Sequence, residues 1–209
     1  MESLSDLLSH QAHRIWRGQD QRPVGPLIAS GFRELDSAIG GGWPTGSLVE
    51  ILTMGGGLGI SNLLLPVLAT LTQAGKAIAW IPGDDQPYPP TLRQAGIELS
   101  RILITSSQDH HQRLWAAEQC LRSSACGAVV LTETRTITDP MLRRLKLAAS
   151  ASDAIMFLLR SESVAEQPSP ASVRIRVRSA AFALKQREIT ILKGAHPPRS
   201  LVLDLDARG

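Results

Sequence analysis

The sequence predicts an α/β fold: a mostly parallel β-sheet flanked by helices, an N-terminal helical arm, and antiparallel strands at the C-terminal end. Two observations carry this. Between residues 47 and 159, short runs rich in Ile, Val and Leu alternate with segments of helical length, the pattern of a parallel sheet covered on both faces. Beyond residue 160 strand-like runs continue with no helical segment between them, which calls for antiparallel pairing. The 209 residues are 43% hydrophobic and 20% charged, enough to bury one sizeable core and enough to exclude global disorder.

Taken in order, Leu4, Leu7, Leu8, Ala12, Ile15 and Trp16 recur at helical spacing, with Arg14 and Arg17 off that stripe and Gly18 as a stop. This helix either folds back on the core or docks on a neighbour. A polar linker closed by Pro23, Gly25 and Pro26 completes a first zone, residues 1–26. The second zone, 27–160, is the α/β core. Ser47–Leu52 is a short apolar strand. Ser61–Ala74 is apolar on nearly every side and reads as a buried helix stopped by Gly75. Then follow strand Ala77–Ile81, helix Pro89–Ala95, strand Arg101–Thr105 and helix Asp109–Arg122. Strand Ala128–Thr132, helix Asp139–Ala151 with Pro140 in its first turn, and strand Ala154–Leu159 complete the zone. The third zone, 161–209, opens with a loop over Ser163–Ser172, read as mobile from Pro168 and Pro170. In Val173–Arg178, Val173, Ile175 and Val177 face one way and Arg174, Arg176 and Arg178 the other. Ile189–Leu192 and Leu201–Leu205 complete the antiparallel set.

Charge is uneven. Residues 1–159 carry 13 basic and 14 acidic side chains, whereas residues 160–209 carry 9 and 5. The arginine face suits weak, salt-sensitive phosphate contacts to DNA without sequence preference, and equally a charged edge that blocks strand pairing. No aromatic residues interleave to stack bases. Cys120 and Cys126 are too few for a disulfide or zinc framework and read as reduced packing residues. No apolar run reaches membrane-spanning length, and Met1–Asp6 lacks the start of a secretory signal, so a cytoplasmic protein without membrane contact is expected.

The turn from the first core strand into the buried helix is Thr53-Met54-Gly55-Gly56-Gly57-Leu58-Gly59-Ile60-Ser61. A phosphate cradle belongs here, because backbone N–H groups at a helix start face an anion. Its working form, G-x-x-x-x-G-K-[ST], needs a lysine where this chain has Ile60. Gly55, Gly56, Gly57 and Gly59 fit a phosphate loop and Ser61 could offer a hydroxyl, but no Lys or Arg occurs between Arg33 and Lys76. Thr132 ends the next apolar strand where a magnesium-organising Asp is expected, and Glu133 is one residue out of register. Asp84 and Asp85 read as turn acids. His110 and His111 are adjacent on a helix and cannot chelate one metal together. With no G-x-S-x-G and no H-E-x-x-H, nothing argues for catalysis, a metal or a cofactor.

The run Ile28-Ala29-Ser30-Gly31-Phe32-Arg33-Glu34-Leu35-Asp36-Ser37-Ala38-Ile39, followed by Gly40-Gly41-Gly42-Trp43-Pro44-Thr45-Gly46-Ser47, resembles the lead-in to the core of RecA-type recombinases. Within that superfamily, Gly41-Gly42-Trp43-Pro44, Leu63-Leu64-Leu65-Pro66, the Trp115–Ser123 phrase and Gln167-Pro168-Ser169-Pro170 look like the ImuA branch, related to the division inhibitor SulA. The resemblance implies a RecA fold without its motor. Ile60 stands at the phosphate-binding lysine, Asp84 roughly at the catalytic glutamate and Thr132 at the magnesium-site aspartate. Lys193 matches a lysine that senses ATP across a subunit boundary, but Ala195 replaces its basic companion. It further implies a non-catalytic accessory role in damage-induced (SOS) translesion synthesis. The implied partners are an inactive Y-family polymerase-like protein (ImuB-type), with RecA and an error-prone replicative-type polymerase nearby, and DNA contact weak or indirect. The alternative is a SulA-type inhibitor binding a tubulin-like division protein. The residues expected at the partner surface are Leu4, Leu8, Ile15 and Trp16 in the arm, with Arg174, Arg176, Arg178 and Lys193 in the C-terminal strands.

Overall fold

A computed structural model describes residues 25–54, 60–83, 86–105, 107, 109–133, 135–180 and 186–205. The expected helix over residues 1–18, the Gly55–Gly59 loop and Asp84–Asp85 lie outside these residues. Among the described residues, ten strands and five helices follow one another, in the order β1 (Leu27–Ile28), α1 (Arg33–Ile39), β2 (Trp43–Pro44), β3 (Ser47–Thr53), α2 (Ile60–Gln73), β4 (Ala77–Ile81), α3 (Pro89–Gln94), β5 (Ile102–Ile104), α4 (His110–Arg122), β6 (Cys126–Thr132), α5 (Asp139–Ser152), β7 (Ile155–Ser161), β8 (Val173–Ser179), β9 (Gln186–Lys193) and β10 (Arg199–Asp204).

Eight strands form one sheet in the order β10-β9-β8-β3-β7-β6-β4-β5. All pairs from β8 to β5 are parallel, and β8-β9-β10 are antiparallel. The expected fold class is therefore the observed one, and the strand and helix limits fall within a few residues of those read from the sequence. One expectation is corrected in its placement: β8 is not an edge strand but lies between β3 and β9.

Each face of the sheet has its own apolar layer. On one, Val49, Ile51, Ile78, Val130, Phe157 and Ile175 pack against Leu63, Leu64 and Leu68 of α2 and Leu35 of α1. On the other, Leu48, Ala79, Val129, Leu131 and Met156 meet Leu114, Ala117 and Leu121 of α4 and Leu142, Leu145 and Ala149 of α5. The strict alternation of Leu48 and Val49 between layers is the period-two geometry of a strand. Each fully buried leucine contributes roughly 2 kcal/mol against exposure.

Helix α1 was not assigned from the sequence, although Leu35, Ala38 and Ile39 carry its buried side. It ends at Gly40, whose φ of 99° lets its N–H reach the Asp36 carbonyl at 3.0 Å. Helix α2 contains Pro66, which removes one helical N–H. Gly31 packs against that ring: a Cβ there would lie 2.5 Å from the Pro66 Cβ, and the φ of +87° already favours glycine.

Candidate functional site

The parallel strands deliver their C-terminal ends to one edge, where ligands gather in open α/β sheets. Strand β3 reaches this edge at Thr53, with Met54 exposed beyond it. Helix α2 resumes at Ile60, which is 3% exposed and belongs to the α2-side core. The position where a phosphate loop places its lysine is therefore an anchor in the hydrophobic layer. The nearest downstream cation in the sequence, Lys76, precedes β4, and its Nζ lies 3.5 Å from the Ser124 carbonyl.

At the same edge β6 ends in Thr132, whose carbonyl accepts from an Arg113 guanidinium N–H. Glu133 follows, buried, on the α4 side of the sheet. Its N–H donates to the Leu159 carbonyl (2.9 Å), and its Oε1 accepts from the Arg135 N–H (2.9 Å). Its Oε2 lies 3.0 Å from His110 Nδ1 and 3.4 Å from Arg113 Nε. The carboxylate is occupied in fastening β6 to the first turn of α4. Among the described residues, no cluster of three or more His, Cys, Asp or Glu is placed to hold a metal.

The arginines of β8 correct a second expectation. Val173, Ile175 and Val177 do share the α2-side core, as the alternation predicts. The opposite face is not uniformly solvent-facing: Arg178 is exposed and Arg176 partly so, but Arg174 is buried. Arg174 is 6% exposed, and its Nε lies 2.8 Å from Oε2 of Glu50, which is fully buried on β3. Arg160 of β7 closes the other side, Nη1 to Glu50 Oε1 at 2.8 Å. The remaining Arg174 N–H groups donate to the carbonyls of Val164 (2.7 Å), Ala165 (2.8 Å) and Gln167 (2.8 Å). The chain from β7 to β8 thus passes over the sheet as a covering clasp, including a short 3-10 turn at Glu162–Val164, rather than the mobile loop that its prolines suggested. Arg176 and Arg178 turn to Glu162, with Arg178 Nε donating to Oε2 at 3.0 Å. The Arg178 guanidinium holds the Glu162 carboxyl below the usual carboxylate range. Lys193 is half-buried, donating to the Ser169 carbonyl at 3.1 Å. Burial, then Lys146 and Arg174, hold its ammonium below its ordinary pKa. Of the cations expected to meet a partner, Arg174 is removed from any surface and the others are engaged by this clasp.

The sequence reading did not single out a groove of about 210 Å³ between α4 and α5, lined by His111, Leu114, Trp115, Glu118, Met141, Arg144 and Leu145. Trp115 is 62% exposed. Buried Glu118 is bracketed by Arg122 (2.9 Å) and Arg144 (2.6 Å). An unpaired tryptophan on the outward side of α4 was the available signal.

A sheet of this order, with a glycine-rich stretch of sequence between β3 and α2, is consistent with a RecA-like α/β core. Known proteins agree with that class. The chain is 29% identical over 122 residues to Protein RecA of Corynebacterium pseudotuberculosis, covering 58% of this chain and 33% of the relative. It is 27% identical over 122 residues to Protein RecA of Marinobacter nauticus (58% and 35%), and 30% identical over 104 residues to that of a Picosynechococcus strain (50% and 30%). The chain spans about a third of the length of these relatives. No protein-family model matches it. The distant, partial similarity supports a RecA-like family. No helix among the described residues is long and apolar enough to cross a membrane.

Proposed function

We propose that this chain is a non-catalytic RecA-like accessory protein of damage-induced translesion DNA synthesis. It would act by binding an inactive Y-family polymerase-like protein of the ImuB type. Ile60 carries the reading. A RecA-type motor stabilises transferred phosphate with a lysine at that position, and here an isoleucine fills it and packs into the core. A core that resembles a recombinase but has exchanged that cation for packing is suited to holding partners rather than turning over ATP. Support for the pathway comes from the ImuA-like phrases in the sequence, and RecA and an error-prone replicative-type polymerase are further partners on this reading.

Two surfaces are offered for the partner. One is the apolar stripe Leu4, Leu8, Ile15 and Trp16. The other is the α4/α5 groove, where Trp115 and Arg144 supply the residue types that most often anchor interfaces. The test is a pull-down with the full chain from DNA-damaged cells, read by mass spectrometry. Enrichment of a Y-family polymerase-like protein is expected. Recovery of a tubulin-like division protein instead, with filamentous cells on overproduction, would move the protein to the SulA-type role.

A further inference from the structure

Helices α4 and α5 each join parallel strands and cover the same face of the sheet. Leu121 and Leu142 are among the residues they turn into that layer. On the outward side Trp115 is exposed, and so is Leu147, one helical turn beyond Arg144 on α5. In the groove between the helices, Leu114 and Leu145 are buried and form the floor, while Trp115 and the partly buried Met141 stand at the rim. Its volume of about 210 Å³ falls below the roughly 300–1,000 Å³ of small-molecule and cofactor sites. The space suits a bulky apolar side chain delivered by another chain.

Charge selects what surrounds that side chain. Glu118, buried in the same groove, is already doubly paired: Oε1 accepts from Arg122 Nη2 at 2.9 Å and Oε2 from Arg144 Nη2 at 2.6 Å. One carboxylate against two guanidinium groups leaves positive charge in excess. Arg143 adds nothing to that excess, because it pairs with Asp139 at 2.8 Å. The Arg122 and Arg144 side chains stay largely exposed, and among the described residues neither meets a second acceptor. Their remaining N–H donors are therefore open to a ligand. Glu118 also holds both side chains in place, so an incoming carboxylate meets donors already oriented and little ordering is required. A cationic ligand finds the groove's acid occupied. A nucleic acid strand needs a run of cations, which this pair beside Asp139 does not supply.

We propose that the α4/α5 groove captures a short helical segment of a partner protein in which a bulky apolar side chain is flanked by Asp or Glu. The apolar side chain enters beside Trp115 and rests on Leu114 and Leu145. The carboxylates, a helical turn away on the same face of the segment, accept from Arg122 and Arg144. Leu147 extends the apolar strip along α5. The inference rests on the reading of this groove as a partner surface and adds the chemistry of the segment; it does not depend on the partner being polymerase-like.

The test pans a display library of random peptides on the full chain. Enriched peptides are expected to carry Leu, Phe or Trp with acidic residues three or four positions away. Labelled with fluorescein and read by anisotropy, they should bind Trp115→Ala about tenfold or more weakly, and should loosen several-fold as salt rises. Met141→Glu sets a like charge in the groove and leaves the Glu118 pairs intact. It should weaken binding by about tenfold or more, whereas Met141→Leu should retain it. Thermal unfolding of each variant checks that the chain is folded. Basic or uncharged enriched peptides, no enrichment over the bare support, or binding unchanged in both Trp115→Ala and Met141→Glu would overturn the proposal. So would a concentration-dependent dimer that Met141→Glu dissociates, which assigns the groove to a second copy. If acidic peptides bind but the pull-down lacks a polymerase-like protein, the pathway alone falls; if that protein is captured equally by Met141→Glu, the groove proposal falls.

Discussion

Glu50 and Arg174 occupy directly paired positions of adjacent parallel strands, β3 and β8, and their side chains meet at 2.8 Å with almost no access to water. Arg160 completes the group from β7, so one carboxylate serves two guanidinium groups across three strands. Such a group needs every member, because desolvated charge is tolerated only when paired.

Replacing Glu50→Gln keeps the shape and removes the charge, leaving both arginines buried without a counter-ion. A loss of about 3–5 kcal/mol is expected, measured as a fall in the urea midpoint. Replacing all three with apolar residues (Glu50→Leu, Arg160→Met, Arg174→Met) should recover much of it. A Glu50→Gln protein as stable as wild type would show that the charges do not depend on each other.

Glu162 gives the clasp a pH dependence. Its folded pKa lies below the ordinary value of 4.5, chiefly because it accepts from Arg178. A depressed carboxyl contributes stability that is fully present above the unfolded pKa and lost as pH falls through the folded value. Stability should therefore decline below about pH 4.5, and Glu162→Gln should flatten that decline. Urea unfolding at several pH values from neutral to acid checks it; identical acid limbs for the two proteins would contradict the pairing. The effect is small, since the ion pair is largely solvent-screened.

Gly31→Ala should lower the unfolding temperature. It places a methyl against the Pro66 ring at a backbone φ that favours glycine, and a cost of about 1–3 kcal/mol follows. Pairing it with Pro66→Gly, which removes both clashing ring carbons, should recover the steric part of the loss but not the backbone part, which separates the two causes in a double-mutant cycle.

Ile60→Lys is the direct test of the lost phosphate site. The side chain now fills the α2-side core, so a lysine there should cost a few kcal/mol of stability and confer no ATP turnover. Wild type should show no ATP hydrolysis in a phosphate-release assay. Turnover in wild type, or its appearance in Ile60→Lys, would restore the motor reading.

Trp115→Ala should leave thermal stability nearly unchanged, because the ring is 62% exposed. It should weaken capture of the polymerase-like partner by roughly tenfold or more, the scale of an aromatic anchor. Undiminished capture would direct attention to the arm that carries Leu4, Leu8, Ile15 and Trp16.

What the sequence made legible was local. Period-two alternation placed Val173, Ile175 and Val177 in the core, and the apolar run after Ser61 announced α2. Pairing was not legible. Arg174 and its neighbours alternate as a strand with one wet face would, and only the insertion of β8 beside β3 reveals that the other face meets Glu50. That glutamate was passed over within an apolar strand, although an acid flanked by Val49 and Ile51 signals a buried partner. The Pro-Ser-Pro segment looked mobile by composition, but composition carries no information about the carbonyls that Arg174 binds. Helix α1 was missed because its seven residues offer only two helical turns.

The placement of β3 also has a consequence in time. Strand β3 is made early, yet both its neighbours, β7 and β8, come late, and Glu50 waits 110 positions for Arg160. At about 5–20 residues per second of synthesis, its two edges stand open for roughly 5–20 s. Long-range parallel pairing is slow to form even afterwards. A ribosome-stalled chain ending before β7 should therefore present β3 unpaired to chaperones, and acquire protease resistance only once β8 has emerged and closed over Glu50.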